Sequence, residues 1–404
     1  MSARVPGIEG DSPNPFIRYR WLLDSYRKAI GQGWSDADFV ALVDRLDKAV
    51  AAVWGKGFEL TPLSRQPDLA AAAALPTDLL WVKDETSNVG GSHKARHLFG
   101  VLLHMEVDEE TDGDLAIASC GNAAVAAAVV ARAAERPLRV FIPTWADPAV
   151  VNALRALEAT IEVSERKKGE IGDPTVRRML EAVERGAVPF SVQGTITPDT
   201  LDGGRTIGWE LAEQLSRARV AGRVALFVQV GGGALAASTW RGLRDGIHQQ
   251  WLDVDPILHT VQTEAAAPLN RAWRGLLSEM DRQPLLDHDD AIDLALGAAR
   301  EDPDHFMWAW EEIGSTAATG IVDDVTYDWL PVVEAMLRSE GQAKVVSEEM
   351  ITRANHLARI HTGIEVGHTG SAGLAGMLDP SLTEFLDRGQ NVVVFFTGTD
   401  RHDR

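Results

Sequence analysis

Apolar residues recur at three- and four-residue steps through the first 59 positions, at Tyr19, Trp21, Leu22, Tyr26, Phe39, Leu42, Val43 and Leu46. Ser35 stands before the second group as an acceptor for a helix start, so residues 1–59 read as a helical extension. From there the pattern changes. Short apolar runs (Leu79–Val82, Leu115–Ala118, Arg139–Ile142, Ala225–Val230) alternate with amphipathic stretches of helical length, which predicts a mostly parallel sheet wrapped by helices. Asp147-Pro148 and Asp173-Pro174 each place a capping carboxylate before a proline that fits the first helical position. The run Asn391–Phe396, dense in Val and Phe, predicts a buried closing strand that ends at Thr397-Gly398-Thr399. Five residues follow Thr399, so no appended regulatory domain is expected.

At 404 residues the chain exceeds what one core usually organises, which favours two packed domains. A hydrophobic content of 45% with 24% charged residues is that of a globular chain. The formal net charge of -20 opposes the counterion release that drives nucleic-acid binding, so nucleic acid is not expected as a partner. No run approaches the roughly 20 apolar residues a membrane helix needs, and no membrane partner is expected either. Cys120 is the one cysteine, which rules out an internal disulfide and a multi-cysteine metal site. The start has no cationic segment followed by an apolar run, and a reducing cytoplasm is the expected location.

Four segments carry unusual chemistry. The first runs from Lys83-Asp84-Glu85 to Gly91-Ser92-His93-Lys94-Ala95-Arg96, from a strand through a glycine turn into a helix. A lysine at a helix start feels the positive end of the macrodipole, which favours a neutral, nucleophilic amine able to form an imine with an aldehyde. The second is Ser119-Cys120-Gly121-Asn122-Ala123, at a strand-to-helix junction, where free backbone N–H groups and an amide suit a carboxylate and a phenolic oxygen. The third is Gly231-Gly232-Gly233-Ala234, another such junction, where missing side chains let backbone N–H groups close around a phosphate. The fourth is Thr397, a hydroxyl at a strand end. Taken singly these are a helix cap, a turn and a strand exit; together and in this order they describe a cofactor site.

This ordered set, with Gly203–Leu211 between the second and third segments, resembles the fold-type II (tryptophan-synthase-like) pyridoxal-phosphate enzymes, among them threonine synthases and serine/threonine dehydratases. The resemblance spans residues 60–400. It implies an α/β fold of two three-layer αβα domains with mostly parallel sheets. A large cofactor-binding domain would be formed by 60–96 and 196–404, and a small mobile domain by 97–195. It further implies that Lys94 holds pyridoxal 5'-phosphate as an internal aldimine and that Asn122 bonds the ring 3' oxygen. The Gly231, Gly232, Gly233 and Ala234 loop would bind the phosphate, with His93 nearby, and Thr397 would face the pyridine nitrogen. Ser119, Cys120, Gly121, Asn122 and Ala123 would cradle the substrate carboxylate. No metal is implied.

A hydroxyl opposite the ring nitrogen favours elimination or replacement over transamination. The expected activity is therefore a lyase of amino-acid metabolism, eliminating a β leaving group from a hydroxy amino acid or its derivative, with Lys94 as base for the Cα proton. The alternatives are a β- or γ-replacement synthase of the threonine synthase or tryptophan synthase β kind and, more remotely, a non-catalytic cofactor-binding protein. Gly367–Ala372 resembles threonine synthases, which leaves a phosphorylated substrate open, with Arg96 and Arg205 as candidate partners. The Gly231 loop lacks the spaced glycines of a nicotinamide-dependent dehydrogenase. Tryptophans such as Trp308 and Trp310 are expected in the core or an interface. A homodimer is expected, with apolar positions of the N-terminal extension packing on the partner subunit.

Overall fold

The computed structural model describes residues 12–167, 170, 172–380 and 389–400. Ten strands form two sheets: β1 Leu63–Arg65, β2 Leu80–Asp84, β3 Leu115–Ala118, β4 Leu138–Pro143, β5 Thr160–Ser164, β6 Val188–Pro189, β7 Gly222–Gln229, β8 Val254–Thr263, β9 Ala343–Val346 and β10 Asn391–Phe396. The larger sheet has the order β1-β2-β10-β7-β8-β9 and the smaller β5-β4-β3-β6. Among the strands of the described residues β1 pairs antiparallel with β2, and the other strand pairings are parallel. The smaller sheet is drawn wholly from residues 115–189.

Parallel strands joined by helices are buried on both faces, and the side chains divide accordingly. Along β10, Val393 and Phe395 join the core beneath the helices Lys94–Val107, Thr200–Arg217 and Ala234–His248. Val392, Val394 and Phe396 point the other way, into the core closed by Glu348–Thr362 and His368–Met377. The same alternation splits β3 and β4: Ile117 and Val140 meet the helix Asn122–Ala133, while Ala116 and Phe141 meet Pro174–Glu184. Both sheets are therefore three-layered. The expected starts are in place, with Asp147 and Asp173 capping the N–H groups of Ala149 and Thr175, both at 2.8 Å. The long β8 and the short β1, β5, β6 and β9 were not among the strands picked out by pattern; β8 lacks a clean apolar run because His259, Thr260, Gln262 and Thr263 are buried in it.

The described part of the N-terminal extension forms Pro15–Arg18, Asp24–Gly31 and Asp36–Trp54, the last opened by a capping box at Ser35; residues 1–11 lie outside the described residues. Most of its described apolar face is turned inward, with Trp21 and Tyr26 half-buried and Ile30 exposed. Tyr19, Leu22, Phe39, Leu42, Val43 and Leu46 are buried within the chain's own core. The Phe16 ring packs on Phe99 at 4.7 Å, and Glu213 accepts hydrogen bonds from Arg18 Nε at 2.8 Å and Tyr19 at 2.5 Å. Pro15–Arg18 thus grips the helix Thr200–Arg217, while Asp36–Trp54 lies on Asn122–Ala133 beside the smaller sheet. Trp308 lies outside the core: it is 41% exposed, with the Arg271 guanidinium 3.7 Å from its ring centroid.

The helix Lys94–Val107 is gripped by two features. One is a close crossing with Thr200–Arg217, where a methyl carbon on Gly203 would lie 2.1 Å from the Arg96 carbonyl oxygen and 2.9 Å from the Gly100 Cα. The other is a fully buried charge network. Lys83 Nζ donates to Glu210 at 2.7 Å, to Gln214 at 3.0 Å and to the Thr61 carbonyl at 2.8 Å. Arg96 bonds Glu210 at 2.5 Å and Glu85 at 2.9 Å, and Asn88 donates to Glu85 at 2.7 Å. Two cations and two carboxylates cancel, and their donors and acceptors are met, as burial demands. Arg205 is similarly committed to Asp202 and Asp24. Of the two roles open to Arg96 and Arg205, substrate-phosphate ligand or structural ion-pair partner, each has the second, because each neutralises buried carboxylates.

Gly203→Ala should destabilise the protein by about 1–3 kcal/mol, the usual cost of overfilling a packed interior, read from the urea midpoint at unchanged slope. Glu210→Gln should cost about 3–5 kcal/mol by leaving Lys83 and Arg96 under-neutralised. The Arg96 and Lys83 charges hold the Glu210 carboxyl below its ordinary range against burial. Its contribution is complete above the unfolded carboxyl value of about 4.3 and is lost as pH falls through the lower folded value. Urea titrations at neutral and acidic pH should therefore show the gap between wild type and Glu210→Gln narrowing on acidification.

Candidate active site

The four segments converge because the closing strand feeds back onto the lysine turn. Beyond β10, the Thr397 carbonyl accepts from the His93 backbone N–H at 3.2 Å and lies 3.1 Å from His93 Nδ1. Ser92 pairs with Gly398, and Thr399 N–H donates to Gly91 O at 2.9 Å. The Lys94 helix and Thr397 are thus stitched together by backbone. Asn122, the first residue of its helix, reaches the same place: a Cβ on Gly398 would lie 2.5 Å from the Asn122 Nδ2. Gln229, the last residue of β7, donates to Thr397 Oγ1 at 2.7 Å and to the Gly370 carbonyl at 2.7 Å. This ties the strand preceding the glycine loop, and the Gly367–Ala372 motif, to the same threonine. Because Gln229 donates to it, the Thr397 hydroxyl keeps its own proton to donate elsewhere.

The loop Gly231–Gly233 leads into Ala234–His248, with Gly233 at φ +99°, where a side chain would also press on Asp328 at 3.2 Å. A strap that sequence reading missed, Ile321–Asp328, wraps this loop. Asp328 N–H donates to Gly232 O at 2.8 Å, and a Cβ on Gly231 would meet the Asp323 carboxylate at 2.6 Å. A Cβ on Gly232 would lie 3.4 Å from the Tyr327 ring. The signal was the pair Asp323-Asp324 inside an otherwise apolar neighbourhood.

Lys94 opens its helix as expected. Burial is the largest influence on its amine and pushes the pKa below the ordinary lysine value, while Asp323 and Asp328 pull it back up. Desolvation therefore favours the neutral amine. Burial pushes Asp323 up to about 7 and Asp328 up to about 6, with Lys94 opposing both shifts. His93 is held well below its ordinary value by burial and by Lys94, and His97 down to about 3 for the same reasons. His97, not singled out from the sequence, sits one turn beyond Lys94 with Nδ1 2.9 Å from the Thr200 carbonyl. The Nε2 atoms of both rings are buried without a hydrogen-bond partner among the described residues.

Ser119, Cys120, Gly121 and Asn122 form a half-buried rim that turns into the buried Ala123. Burial raises the Cys120 thiol to about 11, helped by Asp173, Asp323 and Asp147, so it is a thiol and not a nucleophilic thiolate at neutral pH. Asp323 lies against Gly231 and is near enough for its charge to act on both the Lys94 amine and the Cys120 thiol of this rim. Among the described residues no helix is long and apolar enough to cross a membrane.

Known proteins give the same picture. Residues 56–398 match the family described as pyridoxal-phosphate dependent enzyme. Threonine synthase of Methanosarcina acetivorans is 26% identical over 88% of this chain and 81% of its own. L-serine dehydratase of Saccharomyces cerevisiae is 31% identical over 46% of this chain and 56% of its own. Among solved structures, the processed threonine deaminase isoform 2 of Solanum lycopersicum superposes with a TM-score of 0.65 at 19% identity, covering 91% of each chain. With the family match running from the end of the N-terminal helices to the turn after β10, the chain belongs to the pyridoxal-phosphate-dependent enzymes of fold type II, and pyridoxal phosphate is its cofactor.

Proposed function

We propose that the protein is a lyase that removes a leaving group from Cβ of a small α-amino acid, with Lys94 as the covalent anchor of the cofactor and as the base for the Cα proton. The observation that carries the reading is the convergence of Lys94, Asn122, the Gly231 loop and Thr397, through His93–Thr397, Asn122–Gly398 and Gly231–Asp323 contacts.

The residues fit the cofactor. Gly231, Gly232, Gly233 and Ala234 precede a helix N-terminus, where backbone N–H groups suit a phosphate. The orphaned Nε2 of His93 is a buried polar atom in need of a partner next to Lys94. Thr397 has a hydroxyl proton to offer a ring nitrogen, and Asn122 an amide to offer a ring oxygen. Bound there, pyridoxal phosphate supplies the electron sink that makes the Cα proton of an amino acid removable. Ser119, Cys120, Gly121, Asn122 and Ala123 hold the substrate carboxylate at the helix start, and the Lys94 amine, kept neutral by desolvation, takes the proton. The part built on the smaller sheet, residues 115–189, acts as a small domain that closes the rim over the substrate; the boundary expected at residue 97 falls inside the helix Lys94–Val107, which is packed on Thr200–Arg217 and stays with the large domain. Serine and threonine, the hydroxy amino acids expected from the sequence, are the first substrates to assay.

A replacement reaction has support from the threonine synthase relative, which this chain matches over 88% of its length. The two arginines considered for a phosphorylated substrate, Arg96 and Arg205, are however consumed in buried ion pairs. The reading includes a cytoplasmic homodimer; sedimentation of the purified protein should give twice the mass of the chain.

The cofactor-loaded protein should show a visible absorption band that shifts on adding a substrate amino acid, followed by release of a keto acid and ammonia without any added nucleophile. Lys94→Ala should abolish the covalent band. A wild-type protein that takes up the cofactor and yields keto acid only as a minor product beside a nucleophile adduct would overturn elimination in favour of replacement.

A further inference from the structure

We propose that Asp323 is a specificity-determining residue that selects an α-amino acid carrying a second amine on Cβ, so that the group eliminated is ammonia instead of hydroxide. The proposal rests on the elimination reading above and narrows its substrate class.

The position of Asp323 carries the argument. Its Oδ2 occupies the space into which a side chain on Gly231 would project, 2.6 Å from that Cβ and 3.5 Å from one on Gly232. Its charge is felt by the Lys94 amine on one side and the Cys120 thiol of the carboxylate-binding rim on the other. A substrate whose α-amine meets Lys94 and whose carboxylate meets Ser119–Ala123 has its Cβ substituent as the group left to face Asp323.

The bonding state of Asp323 sets it apart from the neighbouring carboxylates. Asp328 accepts from the Gly194 N–H at 3.0 Å, and Asp173 caps its own helix through Thr175 N–H at 2.8 Å. Asp324 accepts a backbone N–H from Val325 and feels Arg166. Among the described residues Asp323 has no hydrogen-bond donor and no ion pair; the cation it feels is Lys94, and its other charged neighbours are Asp324 and Asp173. With Lys94 committed to the cofactor, the influence that opposes the upward shift of this carboxyl is weakened. A substrate ammonium placed against it restores that influence and draws the group to its ionised form, whereas a hydroxyl supplies only a neutral hydrogen bond.

The chemistry balances without a further reagent. The Cα proton passes to the Lys94 amine, its electron pair forms the Cα–Cβ double bond, and the Cβ–N pair leaves with the nitrogen. An ammonium departs as ammonia and needs no added proton, whereas a hydroxyl would need one. Water then displaces the remaining nitrogen, so one diamino acid and one water give one keto acid and two ammonia.

The test compares equilibrium binding to the cofactor-loaded protein, read as the shift of its visible band, for 2,3-diaminopropionate and serine. Wild type should half-saturate with the diamine at a concentration about tenfold or more below that for serine, the scale of one charge-assisted hydrogen bond. Asp323→Asn should reduce this ratio to about threefold or less, and Asp323→Ser provides a second neutral replacement if the first does not load cofactor. A wild-type ratio near one, or an unchanged ratio in either variant, overturns the assignment of Asp323. A loaded wild-type protein whose band responds to neither amino acid overturns the elimination reading itself.

Discussion

The burial of four charges between β2 and two helices is the constraint on which the rest of the architecture depends. Lys83 and Glu85 sit at the end of β2, Arg96 on the helix that begins with Lys94, and Glu210 on the neighbouring helix. None can be left without its partners in so dry a place. A strand and two helices are thereby held in one relative position, and Lys94, two residues from Arg96, inherits it. The network takes no part in chemistry. It fixes the direction from which the amine enters the cleft.

A second constraint comes from the far end of the chain. β10 lies inside the larger sheet, between β2 and β7, so the strand that comes last among the described ones completes the core. Its exit, Thr397–Thr399, forms bridges to Ser92, Gly91 and Val366. The lysine turn, the β7 end through Gln229 and the Gly367–Ala372 helix start are all oriented by that short exit. The cleft is therefore assembled from segments about three hundred residues apart, which backbone hydrogen bonding makes one unit.

Much of this was legible in the sequence. Strands with continuous Val, Leu, Ile and Phe, such as β10 and β7, announce themselves, and aspartate-proline pairs mark helix starts by local chemistry alone. The glycine and lysine segments are legible because backbone approach and imine chemistry each demand one residue type. What could not be read was any feature set by long-range packing. Arg96 and Arg205 look like phosphate ligands until Glu210 and Asp202 are beside them. The extension's apolar stripe looks like an interface until Phe99 and Trp209 cover it. Asp323 looks like a solvated loop residue until Gly231 and Lys94 are brought against it. The strap Ile321–Asp328 has no periodicity, since its course follows the loop it wraps.

The N-terminal extension touches both halves of the molecule, Thr200–Arg217 through Arg18 and Tyr19, and Asn122–Ala133 through Asp36–Trp54. The helix carrying Asn122 is thus tethered at its back while its N-terminal end faces the cleft. A tether on one end of a lever makes that end the pivot. In the proposed reading, closure of the rim would be a rocking of Ser119–Asn122 about a fixed rear bearing, with the travel at the cleft end of the helix and little at the outer surface.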